Sequence, residues 1–161
     1  SGKVDLGIAG LTVNPERKEQ VDFSDTYYKT SQLVIVKKDS TLTAADLNGK
    51  KIGVQDGTTG DDYASETYGS ANVGKYPTGM DAVMALTSGK IDAVIIDSYT
   101  AKALEKKNAD IKVLPDELTS EEYAIAVQKG NTQLLETVNK VLAKLKADGS
   151  IDKYSDQFTQ E

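Results

Sequence analysis

The densest polar cluster in this sequence runs Ala9-Gly10-Leu11-Thr12-Val13-Asn14-Pro15-Glu16-Arg17 and resumes at Val21-Asp22-Phe23-Ser24-Asp25-Thr26-Tyr27-Tyr28. The planar fork of Arg17 can grip two oxygens of one anion. A second polar loop, Gly57-Thr58-Thr59-Gly60, precedes a predicted helix, with Thr58 or Thr59 as its N-cap. The backbone N–H groups of such a helix start form a ready anion site. The loop lacks the Gly-Lys-Ser/Thr ending of a phosphate-cradling P-loop. Asp97 closes an apolar strand at its carboxyl end, where open α/β sheets take their ligands. Each residue also has a plainer use. Isolated Arg and Asp side chains are most often solvated or in surface ion pairs, Thr58 and Thr59 serve as ordinary caps, and Tyr27 and Tyr28 as packing.

Composition narrows the chemistry further. Histidine and cysteine are both absent, which excludes Cys/His zinc sites, thiol nucleophiles, disulfides and His-based triads. Acid–base work would fall to Asp and Glu. No metal site or cofactor is expected. Acidic residues outnumber basic ones 25 to 19, for a net charge of −6; that field repels nucleic acid and anionic membranes, and no basic stripe overrides it. With 39% apolar and 27% charged residues, the 161-residue chain has the profile of a globular protein, enough for one domain or for a small lobe plus part of another. Its apolar runs, such as Leu33–Val36 and Ala93–Ile96, are of buried-strand length and too short to span a bilayer. No signal peptide or lipid-attachment motif is visible, so any targeting segment is expected to lie outside this sequence.

These residues need elements to position them. Strands are predicted over 33–36, 51–55, 92–96, 111–114 and 123–128, with strand-to-loop character at 74–77. A short helical turn is expected at 44–47, and helices from Thr58 or Thr59 to about Tyr68 and over 99–107. Thr78 and Asp81 form a T-x-x-D capping box for a helix carrying Met80, Val83, Met84 and Leu86 on one side, stopped by Gly89. The best helix spans 132–147, with Leu134, Leu135, Val138, Val141, Leu142 and Leu145 at three- and four-residue spacing. A last helix after Ser150 is expected to bury Ile151, Tyr154 and Phe158. Strand–helix alternation of this kind predicts a parallel α/β sheet.

Two segments repeat at an offset of 87 residues: Ser1-Gly2-Lys3-Val4-Asp5 followed by a strand, and Ser88-Gly89-Lys90-Ile91-Asp92 followed by a strand. In the second copy the phrase ends a helix. The first copy carries the same stop, at Gly2, with no helix before it in the sequence. The expectation is a chain that is N-terminally truncated.

A-G-x-T-x-x-x-E-R over 9–17, then V-D-F-S-x-x-Y-Y over 21–28, resembles the signature of family-three solute-binding proteins, which bind polar amino acids. The resemblance continues through Leu33–Val36, the D-L-x-G-K phrase at 46–50, Val54-Gln55, Gly57-Thr58-Thr59 and the C-terminal helices, covering essentially the whole chain. It implies a type II periplasmic-binding-protein fold: two Rossmann-like α/β lobes joined by two crossing hinge strands, with the ligand between them. On this chain, lobe two would span 38–122 and the hinges lie near 32–37 and 123–129. Lobe one, incomplete, would comprise 1–31 and 130–161.

The resemblance also implies roles. Arg17 would clamp the α-carboxylate of an amino acid, joined by the N–H groups of Thr59 or its neighbour Thr58. Asp97 would accept the α-ammonium, helped by the Gly10 carbonyl and the Thr12 hydroxyl, and Gln55 would touch the ligand side chain. The expected function is the extracytoplasmic component of an ABC importer that captures a polar or basic amino acid between two lobes, with binding impaired in this truncated form, located in the periplasm or held at the cell surface as a lipoprotein. It would hand its ligand to a membrane permease, with no covalent chemistry. An unpaired edge of lobe one would invite self-association. Two alternatives share the resemblance. One is a cyclohexadienyl dehydratase-like enzyme, for which Glu16 and Asp97 are the candidate acids; the other is a ligand-binding sensor domain.

Overall fold

The computed structural model describes residues 3–159, with side chains to Gln157. The helix stop at Gly2 and the burial of Phe158 therefore lie outside the described residues and side chains. The chain divides into two compact units, one of Ser31–Thr119 and one of Ser1–Thr30 with Ser120–Glu161.

The continuous unit holds strands β4 (Gln32–Lys37), β5 (Ile52–Gln55), β6 (Val73–Tyr76), β7 (Ala93–Asp97) and β8 (Ile111–Val113), with helices α2 (Thr59–Tyr68), α3 (Gly79–Thr87) and α4 (Ser98–Lys107). Its sheet has the order β6-β5-β7-β4-β8. Strands β5, β6 and β7 pair in parallel, whereas β4 is antiparallel to both β7 and β8. The aliphatic run of β4 is buried on both sides because alternate residues serve opposite faces. Leu33 and Ile35 pack with Ala82, Val83, Ala85 and Leu86 of α3 and Leu104 of α4. Val34 and Val36 pack with Leu47, Val54, Ile95 and Ala64 of α2.

The discontinuous unit holds β1 (Leu6–Thr12), α1 (Pro15–Gln20), β2 (Val21–Phe23), β3 (Tyr28–Thr30), β9 (Glu121–Gln128), α5 (Thr132–Ala147) and α6 (Ser150–Thr159). Here β9 pairs antiparallel with β1, β2 and β3. The parallel sheet expected from the strand–helix alternation is thus mixed in one unit and, among the described residues, antiparallel in the other. The reason is one device used twice. In β1–α1–β2 the helix carries the chain between two strands running the same way, and β9 is inserted between them. In β7–α4–β8, β4 is inserted in the same manner. The 87-residue offset sets Leu6 of β1 on Ala93 of β7, so the sequence repeat follows this shared device.

Segments 32–37 and 123–129, expected as hinges, largely coincide with the two inserted strands, and the chain changes unit just ahead of each, at Thr30/Ser31 and Thr119/Ser120. The ladders that β4 makes with β7 and β8 assign it wholly to the continuous unit.

Two helix faces differ from expectation. In α3 the buried residues include Ala82, Val83, Ala85 and Leu86, while Met80 is 40% and Met84 63% exposed. Small residues let this helix sit close to the sheet: a Cβ on Gly79 would stand 2.4 Å from Ile96 Cδ1. In α6, Ile151 is half-buried but Tyr154 is 54% exposed. That helix packs chiefly on α5, whose own stripe is only partly covered: Leu142 is buried and Val141 is 49% exposed.

Candidate functional site

In the discontinuous unit, Gly10, Thr12 and Arg17 come together at the end of β1. Asn14 caps α1, its side chain accepting from the Arg17 N–H at 2.8 Å, and Pro15 opens the helix with a φ already suited to it. This start puts Arg17 in the first turn, from where Nη1 donates to the Thr12 carbonyl at 3.0 Å. The Thr12 side chain is buried and its hydroxyl donates to Glu121 Oε2 at 2.7 Å. The β1–β9 register shifts between Gly7 and Leu11. Within that irregularity Gly10 takes a left-handed φ of 59°, and a Cβ there would stand 3.1 Å from the Tyr123 ring.

Aromatic side chains surround this corner. Tyr28 stacks on Tyr123 with ring centroids 5.8 Å apart. Burial pushes the Tyr27 phenol above its ordinary value, against an opposing hydrogen bond from the Gly10 backbone. Tyr27 and Tyr28 are therefore part of the surroundings of Gly10. Glu121 and Tyr123 were not singled out in the sequence; the strand was expected over 123–128, two residues short of Glu121, and nothing marked which of its residues would meet β1.

In the continuous unit, parallel pairing sets the carboxyl ends of β5 and β7 side by side, with Val54 opposite Ile95, so Gln55 and Asp97 end neighbouring strands. Asp97 is also the register partner of Gln32. Thr58 is the N-cap of α2, accepting from the Asp61 N–H at 3.3 Å and donating to the Gln55 carbonyl at 2.8 Å. The capping role left open between two threonines thus falls to Thr58, and Thr59 is the first helical residue. The Thr59 hydroxyl accepts from Gln32 Nε2 at 3.3 Å. Gly60 makes that approach feasible, since a Cβ there would lie 2.6 Å from Gln32 Oε1. Gln32, buried at the head of an aliphatic run, is the residue the sequence could have flagged, because a buried amide is costly unless it is hydrogen-bonded.

Asp97 is the N-cap of α4. Its Oδ1 accepts from the N–H groups of Tyr99, at 2.9 Å, and Thr100, at 3.4 Å. The structure therefore groups the seven residues into two sets, Gly10–Thr12–Arg17 in one unit and Gln55–Thr58–Thr59–Asp97 in the other. The first offers a guanidinium; the second offers a helix start and a carboxylate. Among the described residues no group of three or more His, Cys, Asp or Glu could hold a metal ion, and no helix is long and apolar enough to cross a membrane.

The chain matches over residues 1–161 the profile of the bacterial extracellular solute-binding proteins, family 3. It is 38% identical to the ABC transporter arginine-binding protein 1 of Escherichia coli (strain K12), over 97% of this chain and 66% of that protein. It is 32% identical to the ABC transporter glutamine-binding protein GlnH of Bacillus subtilis (strain 168), over 100% of this chain and 60% of that protein. Among solved structures, a mutant of ArgBP from T. maritima superposes with a TM-score of 0.91 at 42% identity, covering 99% of this chain and 71% of that one. The arginine-, lysine-, histidine-binding protein ArtJ from Geobacillus stearothermophilus gives 0.89 at 34% identity, covering 99% and 71%. The chain thus spans about two thirds of the length of these relatives and shares their type II periplasmic-binding-protein fold. The chain belongs to the bacterial extracellular solute-binding proteins, family 3.

Proposed function

We propose that this protein is the amino-acid-binding component of an ABC importer, taking a polar or basic amino acid, with L-arginine the first candidate. It works outside the cytoplasm and delivers its ligand to a membrane permease without covalent chemistry. Support for the ligand class comes from relatives named for arginine, glutamine, histidine and cystine. Support for the location comes from the family's description as extracellular.

The observation that carries the reading is the placement of Arg17. Its guanidinium is held at the end of β1 by the Thr12 carbonyl, and one acceptor uses only part of a five-donor fork. In the proposed mechanism Arg17 clamps the α-carboxylate, and the N–H groups at the start of α2, at Thr58 and Thr59, add donors to the same anion. Asp97 accepts the α-ammonium, assisted by the Gly10 carbonyl and the Thr12 hydroxyl. Gln55 faces the ligand side chain. Each charge-assisted bond is worth about 1.5–3 kcal/mol, so losing either pole of the ligand abolishes useful affinity.

Calorimetric titration with L-arginine, with agmatine (which lacks the carboxylate) and with Nα-acetylarginine (which lacks the ammonium) tests this directly. Saturable binding of L-arginine alone is expected. Equal affinity for all three would remove both assigned poles.

A further inference from the structure

Asp61 is only 2% exposed, yet the ligand chemistry above gives it no part. An acid in the first turn of a helix can favour the macrodipole from the surface, as the exposed neighbour Asp62 does. Burial of a carboxylate is costly unless every oxygen is partnered, so burial at 61 calls for another reason.

Its partners supply one. Oδ2 accepts from the Gly57 N–H at 3.2 Å and pairs with Lys75 Nζ at 2.8 Å. Oδ1 accepts from the Ser65 hydroxyl at 3.0 Å. The Asp61 N–H donates to Thr58 Oγ1, which in turn donates to the Gln55 carbonyl. The loop is thus tied twice to residue 61, through the Gly57 N–H on its carboxylate and the Thr58 hydroxyl on its backbone N–H. Packing does not hold the tip of this loop: Gly57 has a left-handed φ of 70°, and a Cβ built there would meet nothing within 4 Å. The Gly57 N–H is held by the Asp61 carboxylate instead, next to the Asp56 N–H, which donates to the Tyr76 carbonyl at 2.9 Å. Burial raises the Asp61 carboxyl, but the Lys75 ammonium, the Gly57 N–H and the Ser65 hydroxyl together bring it below its ordinary value, as expected for a carboxylate kept ionised in place.

We infer that Asp61 is a positioning residue for the ligand loop: by holding the Gly57 N–H its carboxylate sets the direction in which the N–H groups of Thr58 and Thr59 are presented, while Lys75 neutralises the buried charge. The inference rests on the amino-acid-binding reading, which it deepens. Without Lys75, the same carboxylate would oppose an anionic ligand group nearby.

The test compares Asp61→Ala, Asp61→Asn and Lys75→Met. It reads L-arginine affinity by calorimetry, at a temperature where each variant is folded, and amide hydrogen exchange at Gly57 in the ligand-free protein. For Asp61→Ala, affinity is expected to fall about tenfold and Gly57 exchange to quicken about tenfold. Asp61→Asn keeps an acceptor for the Gly57 N–H and is expected to restore both to within about threefold. If Asp61→Ala does not fold, Asp61→Ser, too short to reach Gly57, takes its place. Native Gly57 exchange in Asp61→Ala, or native affinity, overturns the inference. So does an Asp61→Asn variant as impaired as Asp61→Ala with Lys75→Met matching both, since that assigns the effect to charge alone. Should the native protein take up no amino acid, the proposed function fails, and Gly57 exchange still decides the role of Asp61.

Discussion

Arg17 donates from Nη1 to the carbonyl of Thr12, 3.0 Å away, so the strand end and the helix start that follow each other in sequence are closed onto one guanidinium. A lysine can carry the charge but cannot hold a backbone carbonyl and two carboxylate oxygens in one plane. Arg17→Lys is therefore expected to bind L-arginine about tenfold more weakly than the native protein with little change in melting temperature. Calorimetry and thermal unfolding measured side by side check both halves.

Gly10→Ala should act on the fold. The residue has φ 59°, and its new methyl would meet the Tyr123 ring at 3.1 Å. A loss of about 1–2 kcal/mol is expected from the left-handed backbone alone, read as a lower midpoint in urea unfolding.

Thr58 carries a cap as well as a proposed ligand role. Thr58→Ala loses the acceptor for the Asp61 N–H and the donor to the Gln55 carbonyl, and should cost about 1 kcal/mol. Thr58→Ser keeps both bonds and should restore the stability. Equal losses in the two variants would remove the capping assignment.

Acid stability should depend on Lys75. Asp61 has a lowered pKa in the folded protein, burial being outweighed by Lys75, Gly57 and Ser65. A carboxyl depressed on folding contributes stability above its unfolded value, near 3.9, and loses it as pH falls through the folded value. Lys75→Met removes the largest lowering influence, so loss of structure should begin at higher pH than in the native protein. Asp22, lowered by the Gly130 N–H and Lys129, is common to both proteins and cancels in the comparison. Circular dichroism from pH 6 to pH 2 reads the shift.

Elements whose signal is local were legible in the sequence. The runs that became β4 and β7 announced themselves because both faces are buried, and Thr78, Gly89 and Gly149 marked helix ends by chemistry confined to a few residues. Pairing direction was not legible. What makes β4 and β9 antiparallel is their insertion between strands that come from distant parts of the chain, and no window of sequence contains both partners. Met80 and Met84 fitted the helical spacing as well as Ala82 and Leu86 did; the close seat of α3 on the sheet favoured the smaller residues. For the candidate site, Asp97 was placed at the end of its strand and one of Thr58 and Thr59 at the start of α2, whereas the short helix α1 that holds Arg17 was not foreseen. Gln32, a polar residue at the head of an aliphatic run, carried a signal that went unread, whereas Glu121 could be seen only once register placed it beside Thr12.

The most direct measurement is calorimetric titration of L-arginine into the native protein, Arg17→Ala and Asp97→Asn, since asparagine caps α4 as well as aspartate does and removes only the charge. Saturable binding in the native protein, weakened about a hundredfold or more in each variant, is the expected result. Two folded variants that bind L-arginine as tightly as the native protein would show that neither charge holds the ligand.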